Sequence, residues 1–242
     1  MDPGAELEER RAELEAGQAR LAEERETLEI DVSIDDEIVW NSWALNEASV
    51  EKDMPGLSFG APEKKLGIKG SPTRELLFDN CVIPADRMVG ERGRGLAIAL
   101  QTLDHTRVTI GAQAIGIAQG ALDAALDYVK QREQFGQRIA DFQGVQFMLA
   151  DMGMKLEAAR QLVYNAAAKS ERNDPALTYF GAAAKCFASD VAMEITTDAV
   201  QLFGGYGYMM EYPIAQMYTA SRVQRIYGGT NEIMKELIAR SL

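Results

Sequence analysis

At 242 residues the chain is long enough to bury a core without disulfides or metals, and its two cysteines exclude a disulfide framework. Its 47% hydrophobic and 26% charged residues are those of an ordinary globular protein and exclude a fibrous or collagen-like one. With 37 acidic residues against 25 basic ones, a formal charge of -12 opposes binding to nucleic acid or to an anionic membrane surface.

Residues 1–29 carry ten acids against four arginines, so half of the negative excess sits in an eighth of the chain. Such a start is neither a secretory signal nor a transit peptide, and the default compartment is a reducing one, the cytoplasm. Cys81 and Cys186 then read as free structural thiols. No apolar run approaches the roughly 18 residues of a membrane span. His105 is the single histidine, which excludes a multi-histidine metal site; no metal is expected.

In chain order, residues 5–29 repeat every seven residues, with Leu7, Leu14, Leu21 and Leu28 on one stripe. The companion seam positions hold Gly4, Arg11, Gln18 and Arg25, so the spacing predicts a solvated or loosely docked acidic helix rather than a zipper. Residues 30–91 change to short alternating runs. "EIVWNSWAL", "PGLSFGAP", "KKLGIKG" and "RELLFDNCVIP" are predicted as strands or extended segments of a partial β domain. Residues 92–242 are helical throughout.

A first long helix is predicted over about 96–131, with a stripe through Leu96, Leu100, Leu103, Ile110, Ala114, Ile117, Ala121 and Ala125. A second, about 142–172, alternates four and three through Val145, Leu149, Met152, Leu156, Ala159, Val163 and Ala166, the seam of an antiparallel bundle. A third runs from about Pro175 to Phe203, and two shorter ones cover about 214–225 and 230–241. The fold class is therefore mainly α: an antiparallel helical bundle with a small β remnant and an N-terminal charged heptad helix.

Two glycine-rich turns between helices are the places where chemistry could sit: Gly204-Gly205-Tyr206-Gly207 and Gly228-Gly229-Thr230-Asn231. The second opens a helix, whose free N–H groups and dipole favour an anion, although both turns also read as plain helix stops. Asp104 and Arg107, three apart, read equally as an ion pair along the helix. Arg132 and Phe135 could close the first helix and staple the turn after it.

Taken together, "GIKGSPTRELLFDNCVIP", "LDHTRVTIGAQAIGIAQGALDAALDYVKQREQFGQRI", "FQGVQFMLADM", "QLFGGYGYMMEYPI" and "RVQRIYGGTNEI" occur in an order that closely resembles the acyl-CoA dehydrogenase family of flavoproteins. The resemblance covers about Val50 to the C terminus, the family's C-terminal half. It implies FAD as cofactor, an acyl-CoA thioester as substrate, a homo-oligomer (dimer or tetramer) and an electron-transfer flavoprotein as electron acceptor.

Residue by residue, the resemblance implies FAD contacts at Arg132 and Phe135, often from a neighbouring subunit, and at Gln143. The Q-x-x-G-G segment, Gln201, Leu202, Phe203, Gly204 and Gly205, corresponds to a cofactor-binding turn, and Thr230, Asn231 and Glu232 to contacts at the last helix. Asp104, His105, Thr106 and Arg107 resemble the thioester-binding part of the first long helix. Gly229 would lie beside the acyl chain.

The sequence also departs from the family. The reaction needs a carboxylate base, which most members carry in Y-E-G-T; the corresponding residues here are Tyr227-Gly228-Gly229-Thr230. Other members place it on the first long helix before the arginine, and that position is Thr106. Neither base position, Gly228 or Thr106, holds a carboxylate, so no catalytic residue is assigned. The T-E-P-x-A-G-S-D and W-I-T-N-G stretches of the family's middle domain are not found in the chain. Impaired dehydrogenation is expected, with binding of FAD or thioester without catalysis, or a self-associating helical scaffold, as the alternatives.

Overall fold

The computed structural model describes residues 28–29 and 50–242. The heptad helix expected over residues 1–29 lies outside the described residues, except for its last two. Those two are a strand rather than helix: β1 (Leu28–Glu29) pairs antiparallel with β4 (Val82–Ile83), Leu28 opposite Ile83. The expected "EIVWNSWAL" strand lies outside the described residues too.

The described residues divide into two compact units, one made of those up to Glu63 with Thr73–Ala99, the other of Lys64–Pro72 with Leu100–Leu242. In the first, β2 (Leu57–Phe59) pairs antiparallel with β3 (Leu76–Phe78), Ser58 opposite Leu77. Its small core is Cys81 and Ile83, packed by Val50, Met54, Leu57 and Phe78.

The expected strand in "KKLGIKG" does not form. Ile68 takes φ +48, outside the extended region, and the segment belongs to the second unit. Gly67 lies against backbone there: a Cβ on it would stand 2.5 Å from the Thr219 carbonyl oxygen.

The second unit contains α1 (Gly95–Gln131, its first turn counted with the other unit), α2 (Gln143–Glu171), α3 (Leu177–Phe203), α4 (Pro213–Arg222) and α5 (Asn231–Arg240). No helix among the described residues is long and apolar enough to cross a membrane. On α2 the seam at Met152, Leu156, Ala159, Val163 and Ala166 is buried, as its spacing predicts. On α1 the burial runs instead through Val108, Ala114, Ile115, Ala118, Ala121, Leu122, Ala125 and Val129, while Leu100 is 51% exposed. Ala114, Ala121 and Ala125 belong to both stripes; the departure lies at the start of the helix, where Leu96 and Leu100 are exposed, and in the addition of Val108, Ile115, Leu122 and Val129 on one flank.

α3 is the central helix, buried on most sides by small residues such as Ala182, Ala184, Ala188, Ala192 and Ala199. Close approach to α1 requires Gly181, where a Cβ would stand 2.9 Å from the Asp104 carbonyl oxygen. This contact brings the middle of α1 alongside α3 and sets up the site below.

Between α1 and α2 the chain makes a two-residue hairpin, β5 (Glu133–Gln134) against β6 (Gln137–Arg138). Phe135 and Gly136 at its tip both have positive φ, +54 and +82, as a type I′ turn demands. The expected simple cap-and-staple turn is thus a built hairpin, closed by Ile139 N donating to the Arg132 carbonyl at 2.9 Å.

Candidate functional site

α1, α3 and the turn before α5 meet at a set of buried polar groups. Asp104 and Arg107 form the i,i+3 ion pair that their spacing allows, Nη1 to Oδ1 at 2.5 Å. The pair does more than brace one helix. Asp104 Oδ2 accepts from Thr178 of α3 at 2.5 Å, and Arg107 Nε donates to the Gly228 carbonyl at 3.3 Å. Arg107 is only 5% exposed. Burial lowers its pKa from the ordinary arginine value, opposed by Asp104.

The next carbonyl is held from another helix. Lys185, fully buried on α3, donates from Nζ to the Gly229 carbonyl at 2.6 Å and to Asn231 Oδ1 at 2.8 Å. Burial pushes the Lys185 ammonium down from 10.5 to about 8, with Cys186, Asp190 and Glu232 opposing the fall and Arg107 adding to it. Asn231 uses its amide fully: Nδ2 donates to the Cys186 carbonyl, Ser189 Oγ and Asp190 Oδ1, and Oδ1 also accepts from Ser189 Oγ. Two cations from two helices therefore clasp consecutive carbonyls of the Gly228-Gly229 turn. Both glycines have positive φ, +67 and +98, which favours glycine there.

Thr230 follows as the N-cap of α5, its Oγ1 accepting from Ile233 N at 3.5 Å. The Glu232 carboxyl is held below its ordinary value by its own backbone amide and by the Thr230 hydroxyl. Glu232 is thus an ionised carboxylate in the first turn of α5.

The structure sorts the residues singled out by the sequence. Asp104, Arg107, Gly228, Gly229, Thr230 and Asn231 converge on one turn, although the Asn231 side chain is spent on protein partners and leaves only its backbone for a ligand. Thr106 is exposed and donates to the Leu103 carbonyl, one residue before the Arg107 that reaches Gly228. His105 turns to another helix, with Nδ1 2.7 Å from Ser170 Oγ of α2.

Phe203 is buried and stacked on Tyr128 at 4.2 Å, so its ring belongs to the core and its side chain is not offered to a cofactor; Leu202 also packs against that core. Gln201, Gly204 and Gly205 are exposed at the end of α3, with nothing within 4 Å of a Cβ built on either glycine. Arg132 and Gln143 are exposed, and Phe135 is 93% exposed at the hairpin tip, in edge contact with Phe142. A cavity of about 380 Å³ at the start of α3, lined by Pro175, Ala176, Thr178, Tyr179, Ser241 and Leu242, includes none of the residues the sequence singles out.

Lys185 is the residue that sequence reasoning missed. Its signal is the run "GAAAKCFASD", a lone cation among small residues on a helix that must bury all round.

Comparison with known proteins places these features in a family. Residues 93–242 match the model of the acyl-CoA dehydrogenase C-terminal domain. A probable acyl-CoA dehydrogenase of Mycobacterium tuberculosis is 61% identical over 193 residues, covering 80% of this chain and 50% of that protein. The structure of butyryl-CoA dehydrogenase from Megasphaera elsdenii superposes with a TM-score of 0.78 at 46% identity, over 81% of this chain and 52% of that one. That of PigA with FAD and proline gives 0.75 at 32% identity, over 79% and 50%. The chain thus spans about half the length of the relatives it matches.

Proposed function

The chain belongs to the acyl-CoA dehydrogenase family, and on that premise we propose that its helical unit binds FAD and an acyl-CoA thioester while dehydrogenating the thioester slowly or not at all. The observation that carries this reading is the clasped Gly228-Gly229 turn. Its two carbonyls accept from Arg107 and Lys185, yet Gly228, the position to which the resemblance assigns the carboxylate base, is a glycine.

The residues present suit FAD. Exposed Phe135 offers a ring face and exposed Arg132 a guanidinium for a pyrophosphate. Gly204 and Gly205 leave open space for close backbone approach, beside Gln201. Gln143, Thr230 and Glu232 complete the proposed set. A similar chain, PigA, was solved with FAD. When bound, FAD supplies the hydride acceptor of the reaction.

Because Phe135 and Arg132 project from a hairpin, they are suited to reach the flavin of a second copy, so a homo-oligomer, dimer or tetramer, is part of the proposal. An electron-transfer flavoprotein is the proposed acceptor for a turning-over enzyme, and the cytoplasm the proposed compartment.

On the thioester side, Arg107 reaches the Gly228 carbonyl of the turn beside which the acyl chain is proposed to lie. α,β-Dehydrogenation requires removal of the α-proton as hydride leaves the β-carbon. Thr106 and Gly228 provide no acceptor for that proton, and Glu232 is already engaged at the helix end. Loss of a positioned base costs about 3 to 5 kcal/mol in barrier height.

Titration of FAD into the full chain, followed by flavin fluorescence, tests the binding half of the reading. Saturable binding is expected. A colourless oligomer that takes up no FAD would overturn it in favour of a helical scaffold.

A further inference from the structure

The thioester reading assigns no role to Lys185, yet this side chain is fully buried and no carboxylate lies among its hydrogen-bond acceptors. A buried ammonium is costly unless it is bound to something specific. Here its acceptors are the Gly229 carbonyl and the amide oxygen of Asn231, both in the turn that opens α5.

Arg107 makes the matching contact from α1 onto the Gly228 carbonyl. Two peptide units in the left-handed region thus each have a carbonyl gripped by a cation from a different helix. Charge-assisted bonds of this kind are about twice as strong as neutral ones. Arg107 is balanced by Asp104, whereas Lys185 brings its charge to the turn with Asp190 and Glu232 acting only at longer range.

We propose that Lys185 is a positioning residue: its contacts with Gly229 and Asn231, acting with Arg107 on Gly228, fix the conformation of the turn that faces the acyl thioester. The idea rests on the thioester reading for its functional consequence, but not for its structural content. Lys185 touches no substrate; it acts through the turn.

The test compares the full-length protein with Lys185→Met, using Lys185→Gln should the first variant not fold. Hydrogen exchange is measured on the segment 226–234, in which the amides of Tyr227, Ile233 and Met234 are bonded, and on 108–125 in α1. Loss of the two Lys185 bonds, to the Gly229 carbonyl and to Asn231 Oδ1, is expected to speed exchange in 226–234 at least tenfold, with 108–125 unchanged. In parallel, affinity for butyryl-CoA is expected to fall about tenfold in the variant at unchanged secondary structure.

Equal acceleration in both segments, or none in either, overturns the proposal. So does equal affinity of the parent and variant for butyryl-CoA. A wild-type protein in which 226–234 exchanges freely while 108–125 is protected overturns it without any variant. If the wild type binds no butyryl-CoA, the thioester reading fails, and the exchange comparison alone decides the role of Lys185.

Discussion

Lys185 Nζ lies 2.6 Å from the carbonyl oxygen of Gly229, a residue 44 positions further along the chain. One ammonium thereby ties the centre of α3 to the turn that precedes α5. That turn is also the one beside which the acyl thioester is proposed to lie.

Asn231 completes the tie, and its loss is expected to be expensive. It is 1% exposed, and Asn231→Ala would strip a partner from Lys185, Ser189 and Asp190 at once. Destabilisation of about 3 kcal/mol is expected, a fall in Tm of about 6 to 12 °C for a domain of this size. Thermal unfolding of the variant checks it; a change within about 1 kcal/mol would show that the network carries little stability.

The buried ammonium also gives a pH dependence with a definite sign. Lys185 titrates at about 8 when folded against 10.5 when free, so between those values the unfolded chain binds the extra proton. Its contribution therefore makes stability rise with pH across that window. Cys186 and Tyr227, both raised by burial, act oppositely above about 9 and 10. Urea unfolding of wild type and Lys185→Met at pH 7.5 and 9.5 isolates the lysine by difference. The wild type is expected to gain stability relative to the variant as pH rises; a wild type that loses stability relative to the variant would contradict the assignment.

At the hairpin, Phe135 holds a positive φ and exposes its ring. Phe135→Gly removes the backbone strain and the ring together. Stability is expected to stay within about 1 kcal/mol of wild type, since no core contact is lost. FAD affinity is expected to fall by about three- to tenfold, on the order of the loss of one aromatic contact. Undiminished FAD affinity in fluorescence titration would remove Phe135 from the flavin site.

The end of α3 offers a contrast between two neighbours. Gly204 sits at φ +60 and ψ -136, a conformation open to little but glycine, so Gly204→Ala is expected to cost about 1 to 3 kcal/mol through the backbone alone. A Cβ on Gly205 meets nothing within 4 Å, so Gly205→Ala is expected to leave stability unchanged and weaken only FAD binding. Paired melting and titration data would separate the two effects. Equal melting temperatures for both variants would contradict the backbone argument.

The helices were legible because their burial is periodic: the α2 seam from Met152 to Ala166 follows the four-and-three spacing closely. The hairpin was less legible, since two-residue β segments leave no alternation to read and Phe at a left-handed position is an uncommon turn residue. "KKLGIKG" was misleading because alternation in a short segment does not reveal a turn such as that at Ile68. In the site, Asp104, Arg107 and the turn glycines were legible as types at a spacing. What lay beyond the sequence was which carbonyls the cations would reach, for that depends on the approach of α1 to α3 at Gly181. The resemblance sets Phe203 within the cofactor-binding segment, and its ring stacks on Tyr128 in the core; a helix-end aromatic looks the same in sequence in either environment.

The central claim, binding without efficient dehydrogenation, is tested most directly by anaerobic flavin spectra. FAD-loaded wild type and Thr106→Glu, which adds a carboxylate at an exposed position beside Arg107, are mixed with butyryl-CoA and the loss of visible flavin absorbance is timed. The variant is expected to bleach about 10² to 10⁴ times faster than the wild type, the usual worth of a general base. Wild-type protein that bleaches as fast as the variant would contradict it and show that another group takes the α-proton.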